Sequence, residues 1–271
     1  SHKNGIPDSR EVLPIIEKWD FWGGIKIINA LLQMKPAIIH LQYPSQGYKK
    51  YLMVNLLPLF TRLILPKSKF VATQHEFSSY SIVGKLRIAL HLIFSHRIIV
   101  SDARNKKEIA RFLPFVEKKL EYLPIASNIS PTGVKNDFSY KDNFVISYFG
   151  IIRPRKGIEV LLEAFFIMGD MKTSLLIIGG TNSRGEYHRE IYDKIENLNL
   201  TKKVKITGYC NKDKVSEYLL SSDLCVLPFL DGVSERRGSF LTALNHRLPV
   251  ITTRADPLPP GLKNGINVRL V

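Results

Sequence analysis

The chain has 271 residues, 45% of them hydrophobic, with 39 Lys and Arg against 24 Asp and Glu, a net charge of +15. That length suits one large or two modest globular domains, and two cysteines, Cys210 and Cys225, are too few for a disulfide framework and lack the spacing of a zinc site. The excess charge is spread along the chain, +10 over residues 1–128 and +5 over 129–271, which speaks against a nucleic-acid-binding tail and leaves anionic substrates or an anionic membrane surface as partners.

The N-terminus is polar, with no signal peptide in view, and the sparse cysteines fit a reducing cytoplasm. Phe21–Met34 carries apolar residues at helical spacing and is stopped by Pro36. Ala37–Tyr43 reads as a short buried strand, with Pro44, Ser45 and Gly47 as its exit. His40, inside that apolar run, is expected in or near the core. A helix is predicted over Tyr48–Ile64, kinked at Pro58. Its window Tyr51–Leu65 is interrupted by Asn55, Pro58, Thr61 and Arg62 and is shorter than the ~20 residues of a membrane span. Lys49, Lys50, Arg62, Lys67 and Lys69 flank it, a pattern compatible with peripheral contact with an anionic membrane. Strand Phe70–Thr73 runs into Gln74, His75 and Glu76. Helix Gly84–Phe94, strand Arg97–Val100, a helix Ala103–Leu113 started by Ser101 or Asp102, and strand Leu120–Ile125 follow.

Residues 127–143 lose all apolar periodicity and read as a linker between a first domain, 1–126, and a second, 144–271. Alternation then restarts. Strands are predicted at Phe144–Phe149, Ser174–Ile178, Val204–Thr207, Leu224–Leu227 and Val250–Thr252, with a last one in Ile266–Val271. Between them fall helices Gly157–Met168, Glu186–Leu198, Lys212–Ser221 and one opening at Gly238. The fold class is α/β: two doubly wound, Rossmann-like parallel sheets facing across a cleft, with ligands expected at the strand carboxyl ends.

Those strand ends carry the chemistry. Phe149–Gly157, FGIIRPRKG, sets Arg153, Arg155 and Lys156 between two glycines. Arginine offers a fork to phosphate oxygens and lysine a point charge. Leu227–Thr252 reads as strand, basic loop, helix and strand, with Arg236 and Arg237 at the mouth of the helix and Ser234, Glu235 and Ser239 as polar contacts. A helix N-terminus adds unpaired N–H groups and a positive dipole end. Two basic loops at strand ends of one sheet suit a diphosphate. Gly179–Gly180 lets a ligand approach the backbone, and His75 ends a strand of the first domain. No HxxxH or carboxylate cluster suggests a metal.

In order and spacing, FGIIRPRKGIEVLLEAF, LLIIGG, VKITGY, SDLCVLPF and Ser234–Thr252 resemble the nucleotide-binding domain of family 4 glycosyltransferases of the GT-B fold, over Phe144–Val271. IIHLQYP, VATQHEF and RIIVSDA are similar, less distinctively, to that family's acceptor-side domain. The resemblance implies a retaining, metal-independent enzyme of the hexosyltransferase type without a cofactor. It would move a sugar from a UDP- or GDP-sugar to a glycan or lipid-linked acceptor in cell-envelope polysaccharide biosynthesis. It implies that Lys156 and Arg153 bind the diphosphate, Arg153 replacing an arginine where Ile151 stands. It places Ser234 and Thr242 at the family's Glu-x7-Glu pair, which contacts donor sugar and ribose, with Glu235 beside Ser234 for the first role. Gly179, Gly208, Arg237, Gly238 and Ser239 complete the donor contacts, and His75 meets the sugar from the first domain. The family's opening strand with its glycine loop and its closing helices are not matched, so the sequence reads as truncated at both ends and as a divergent subgroup. A non-catalytic nucleotide-sugar-binding relative, and more remotely a nucleotide-sugar epimerase, are the alternatives.

Overall fold

The computed structural model describes residues 12–44, 48, 51–135, 144–170, 172–180 and 185–271; Ser45, Gly47, Lys49, Lys50, Thr181 and the later part of the expected linker lie outside them. The chain divides into two compact units, Ser1–Pro124 and Ile125–Val271.

In the first unit four parallel strands lie in the order β1 (Ile38–Tyr43), β2 (Lys69–Gln74), β3 (Arg97–Val100), β4 (Leu120–Tyr122). Helix α1 (Phe21–Met34) precedes them, and between them run α2 (Met53–Ile64), α3 (Ile82–Phe94) and α4 (Ala103–Phe112), with a 3-10 turn at Pro114–Lys119. Capping starts three of the helices: Asp20, Ser81 and Asp102 accept from the backbone of Gly23, Gly84 and Asn105. The strand residues of the core, Leu41, Tyr43, Phe70, Ile98, Val100 and Leu120, all share one face of the sheet in register. Helices therefore bury one face, and Ile38, His40 and Gln42 on the other are exposed. His40 is thus a surface residue and not the core histidine expected. Strand alternation puts it on the opposite side from Leu41 and Tyr43.

The second helix begins at Met53 and not at Tyr48. Tyr48 is buried instead, its hydroxyl donating to Gln42 O at 2.6 Å and its ring edge-on to Trp19. The helix continues through Pro58 and buries Val54, Leu57 and Thr61, so this apolar segment serves the core of the unit. Among the described residues no helix is long and apolar enough to cross a membrane.

The second unit is a six-stranded parallel sheet in the order β10-β9-β8-β5-β6-β7. Its strands are β5 (Phe144–Phe149), β6 (Thr173–Ile178), β7 (Val204–Ile206), β8 (Leu224–Leu227), β9 (Val250–Thr252) and β10 (Arg269–Leu270). The helices are α5 (Ile158–Met168), α6 (Glu186–Asn197), α7 (Lys212–Leu220) and α8 (Gly238–Asn245). Every residue of β6 is buried, as a strand covered on both faces must be. Leu175 and Ile177 face the cluster built on α5, α6 and α8; Leu176 and Ile178 face a smaller one with Val215 and Leu219 of α7. Residues 127–135, given to the linker from sequence, fall in this unit, as do Ile125 and Ala126, given to the first domain. Ile129 is buried in the smaller cluster and Thr132 N donates to Ser216 Oγ at 2.9 Å.

From β5 the chain moves to β6, and from β8 it moves the other way to β9. The loops after β5 and β8 therefore leave neighbouring strands at a topological switch point, where open α/β sheets bind ligands.

Candidate functional site

The two loops at the switch point touch. Gly157 ends the first with φ +72°, and a Cβ placed there would stand 1.9 Å from Pro228 O, at the start of the second. Only glycine permits both the backbone angle and the approach. Leu230 N donates to Arg155 O at 3.4 Å across the join.

Side chains from both loops then converge on one ring. The Nζ of Lys156 lies 5.1 Å and the Cζ of Arg237 4.3 Å from the centroid of Phe229, which is itself buried. Each contact draws a cation to the negative face of the ring. Burial holds the Lys156 ammonium below its usual range, and the nearby Arg237 and Arg153 charges lower it further, against a smaller opposing effect from Asp231. Asp231 forms an ion pair with Arg237. Burial would raise the Asp231 carboxyl, but Arg237 prevails and keeps it below the ordinary carboxylate range. The charges of Arg153, Lys156 and Arg237 act on one another here, and Arg155 acts with Arg237 on Asp231, so an anion here relieves like-charge repulsion as well as filling hydrogen bonds.

Beside the loops is a shelf of glycine backbone. Gly179, φ +137°, would carry a Cβ 2.1 Å from Gly150 O, and Gly179 pairs with Gly208 across the sheet end. Thr207 Oγ1 fixes Gly179 by accepting from its N–H at 3.1 Å. Small residues keep this end of β5, β6 and β7 open to a ligand. Gly238 opens α8 exposed, with Ser239 half-buried after it and Arg237 as a cap that makes no side-chain cap bond. The first N–H groups of α8 therefore lack intrahelical partners. Ser234 and Glu235 are half-buried in the loop before it.

Thr242 is placed otherwise than the ribose role requires. It is 1% exposed, and its hydroxyl donates to Gly238 O at 2.7 Å and lies 2.9 Å from Ser127 Oγ. A short side chain one turn into a helix reaches its own backbone more readily than a ligand. Cys225 is equally inward, with burial pushing its thiol up to about 12. Among the described residues no group of three or more His, Cys, Asp and Glu side chains is placed to hold a metal ion.

In the first unit, His75 follows β2 and is half-buried. Its Nε2 lies 3.0 Å from Gln42 Oε1, and the Gln42 amide nitrogen lies 3.2 Å from His40 Nε2. His40 Nε2 is in turn 2.8 Å from Thr73 Oγ1. A polar row thus crosses the open face of the sheet from His75 to His40. Asn105 of α4 clamps the turn from behind, its Oδ1 accepting from Phe77 N and Ser78 N at 3.0 Å each.

A family model described as glycosyl transferases group 1 matches residues 134–270. The chain belongs to the group 1 glycosyltransferases. Solved structures share the fold of this glycosyltransferase, a mixed α/β one with two parallel sheets as in the GT-B enzymes. The Anabaena protein HepE in complex with UDP is 15% identical, with a TM-score of 0.69, the match covering 92% of this chain and 68% of HepE. A Rickettsia africae glycosyltransferase is 16% identical at a TM-score of 0.64, covering 92% of this chain and 64% of that one. The lipopolysaccharide outer core galactosyltransferase WaaB is 14% identical at 0.57, covering 93% and 67%. A search of curated protein sequences found no match.

In this glycosyltransferase the structure brings together Arg153, Lys156 and Arg237 at one corner and Gly179 with Gly208 along one shelf. Sequence reasoning missed Phe229, Asp231 and Gln42. Phe229 was visible as an aromatic residue between two basic loops. Gln42 was visible as the polar residue two after His40, hence on the same face of a strand.

Proposed function

We propose that the protein is a retaining glycosyltransferase that moves a sugar from a UDP- or GDP-sugar to a glycan or lipid-linked acceptor in cell-envelope polysaccharide biosynthesis. The observation that carries this reading is the convergence of Lys156 and Arg237 on Phe229, with the Arg153 charge acting on Lys156, beside the start of α8. As the bond from sugar to diphosphate breaks, negative charge grows on the departing phosphate. Fixed cations and a helix dipole aimed there stabilise the transition state more than the ground state. That HepE was solved with UDP and glucose and with UDP-glucose supports a donor of this class. Glu235 positions the donor sugar and His75 contacts it. No residue is assigned as a covalent nucleophile.

The burial of Thr242 favours a second reading, a nucleotide-sugar-binding protein without turnover, because the expected ribose contact is spent internally. Incubation with UDP- and GDP-sugars separates the two. Transfer, or slow hydrolysis of a donor, supports the enzyme; binding without turnover supports the second reading; epimer formation overturns both.

His75→Ala should lower turnover about tenfold to a hundredfold while leaving UDP or GDP affinity within roughly twofold, because the cations that hold the diphosphate belong to the other unit. Steady-state kinetics with calorimetry on the same samples check this. Equal losses in both quantities, or full activity, would contradict the role given to His75.

A further inference from the structure

A buried histidine lies behind His75 with no part in the chemistry above. His91 of α3 is 0% exposed. Its Nε2 is 3.0 Å from Gln74 Oε1 and its Nδ1 3.0 Å from Asn55 Oδ1, and its ring stacks on Tyr43 at 4.3 Å. Gln74 is the residue before His75. Its amide nitrogen donates to Glu76 O, the residue after His75. One buried side chain therefore ties both flanks of His75 to α3. A buried amide of this kind is costly unless its oxygen also finds a donor.

We propose that His91 is a positioning residue for His75, holding the Gln74–Glu76 turn through Gln74 so that the His75 ring is presented at Gln42. The inference rests on the proposed role of His75 at the donor sugar. The proton inventory assigns the tautomer. The amide nitrogen of Gln74 is committed to Glu76 O, so its Oε1 takes the ring proton from Nε2. At Nδ1 the Asn55 amide turns its nitrogen to the ring, which gives up the 3.3 Å bond to Tyr51 O and the hydrogen bond of that amide to Tyr43. The neighbours of the ring are neutral: Tyr43 from β1, Asn55 from α2 and Gln74 from β2, and the charge facing this group is the Arg87 guanidinium, hydrogen-bonded to Tyr43.

The test uses the full chain and compares wild type, His91→Leu and His91→Gln, each also with His75→Ala. Leucine keeps the volume and removes the donor; the glutamine amide can still donate to Gln74. The readouts are kcat and KM with UDP-glucose and GDP-mannose, and the imidazole 1H–15N signal of His75. His91→Leu should lower kcat about tenfold to a hundredfold, with KM nearly unchanged and the His75 signal displaced or broadened. His91→Gln should restore both, and in the His75→Ala background His91→Leu should cost nothing more. A kcat loss that persists in that background, or one shared equally by the leucine and glutamine variants, would show a merely structural residue and overturn the proposal. If wild type turns over neither donor, the proposed function falls for those donors and the ring signal decides alone: moved by His91→Leu and restored by His91→Gln upholds the positioning, unchanged in both overturns it.

Discussion

Gly157→Ala should unfold or badly loosen the second unit. The new methyl carbon would sit 1.9 Å from Pro228 O and 2.9 Å from Pro228 C, both backbone atoms that no side-chain rotation can move aside. The residue would also carry φ +72° with a Cβ. Left-handed strain and overpacking together cost about 3–5 kcal/mol, a large part of the stability of an ordinary domain. The functional loss should exceed the loss of folded protein. Separating the loops breaks the Leu230–Arg155 backbone bond and moves Lys156 away from Phe229. Gly238→Ala is the control: nothing lies within 4 Å of its Cβ and its φ is not positive, so its stability should stay within about 0.5 kcal/mol of wild type. Thermal unfolding of both variants measures this, and a Gly157→Ala protein that melts with wild type would contradict the close packing of the two loops.

Acid should destabilise the first unit through His91. Two forces compete at this ring. Both flanking amides, as oriented, present oxygens, which favours an imidazolium; burial favours the neutral ring and lowers its pKa from 6.5 to about 3. Desolvation wins because it is unopposed by any carboxylate at the ring, whereas one amide can turn. The sign follows from the depressed folded value. In the unfolded chain His91 gains a proton as pH falls below 6.5, while in the folded unit it stays neutral down to about 3. The stability it contributes is complete above pH 6.5 and is lost progressively down to pH 3, by about 4–5 kcal/mol in all. Denaturant unfolding of wild type and His91→Gln across that range isolates the effect. The wild-type curve should fall more steeply; parallel curves would mean that the ring is already charged when folded.

Much of the fold could be read from the chain because its strands are short apolar runs closed by breakers. Phe144–Phe149, Leu224–Leu227 and Val250–Thr252 lie where the pattern puts them, since Asp223, Pro228, Pro249 and similar neighbours leave them no room to extend. Where the outcome depends on which face is covered, sequence was silent. His40 sits in an apolar run yet is exposed, because the helices of the first unit bury only the other face of the sheet. The site divides in the same way. Arg153, Lys156 and Arg237 were recognisable from their charge and their place after strands. That Lys156 and Arg237, 81 positions apart in sequence, share the ring of Phe229 is a property of the strand order, which sets β5 beside β8. Thr242 lies at a motif position but one turn inside a helix, where its hydroxyl finds Gly238 O before any ligand.

Isothermal calorimetry of UDP and GDP with the full chain, alone and as Arg153→Ala and Lys156→Ala, bears most directly on the diphosphate site. A charge-assisted hydrogen bond contributes about 1.5–3 kcal/mol, so each substitution should weaken the bound nucleotide about tenfold or more. Wild type should bind at least one of the two. Unchanged affinity in both variants, or no binding of either nucleotide by wild type, would contradict the assignment of Arg153, Lys156 and Arg237 to a diphosphate.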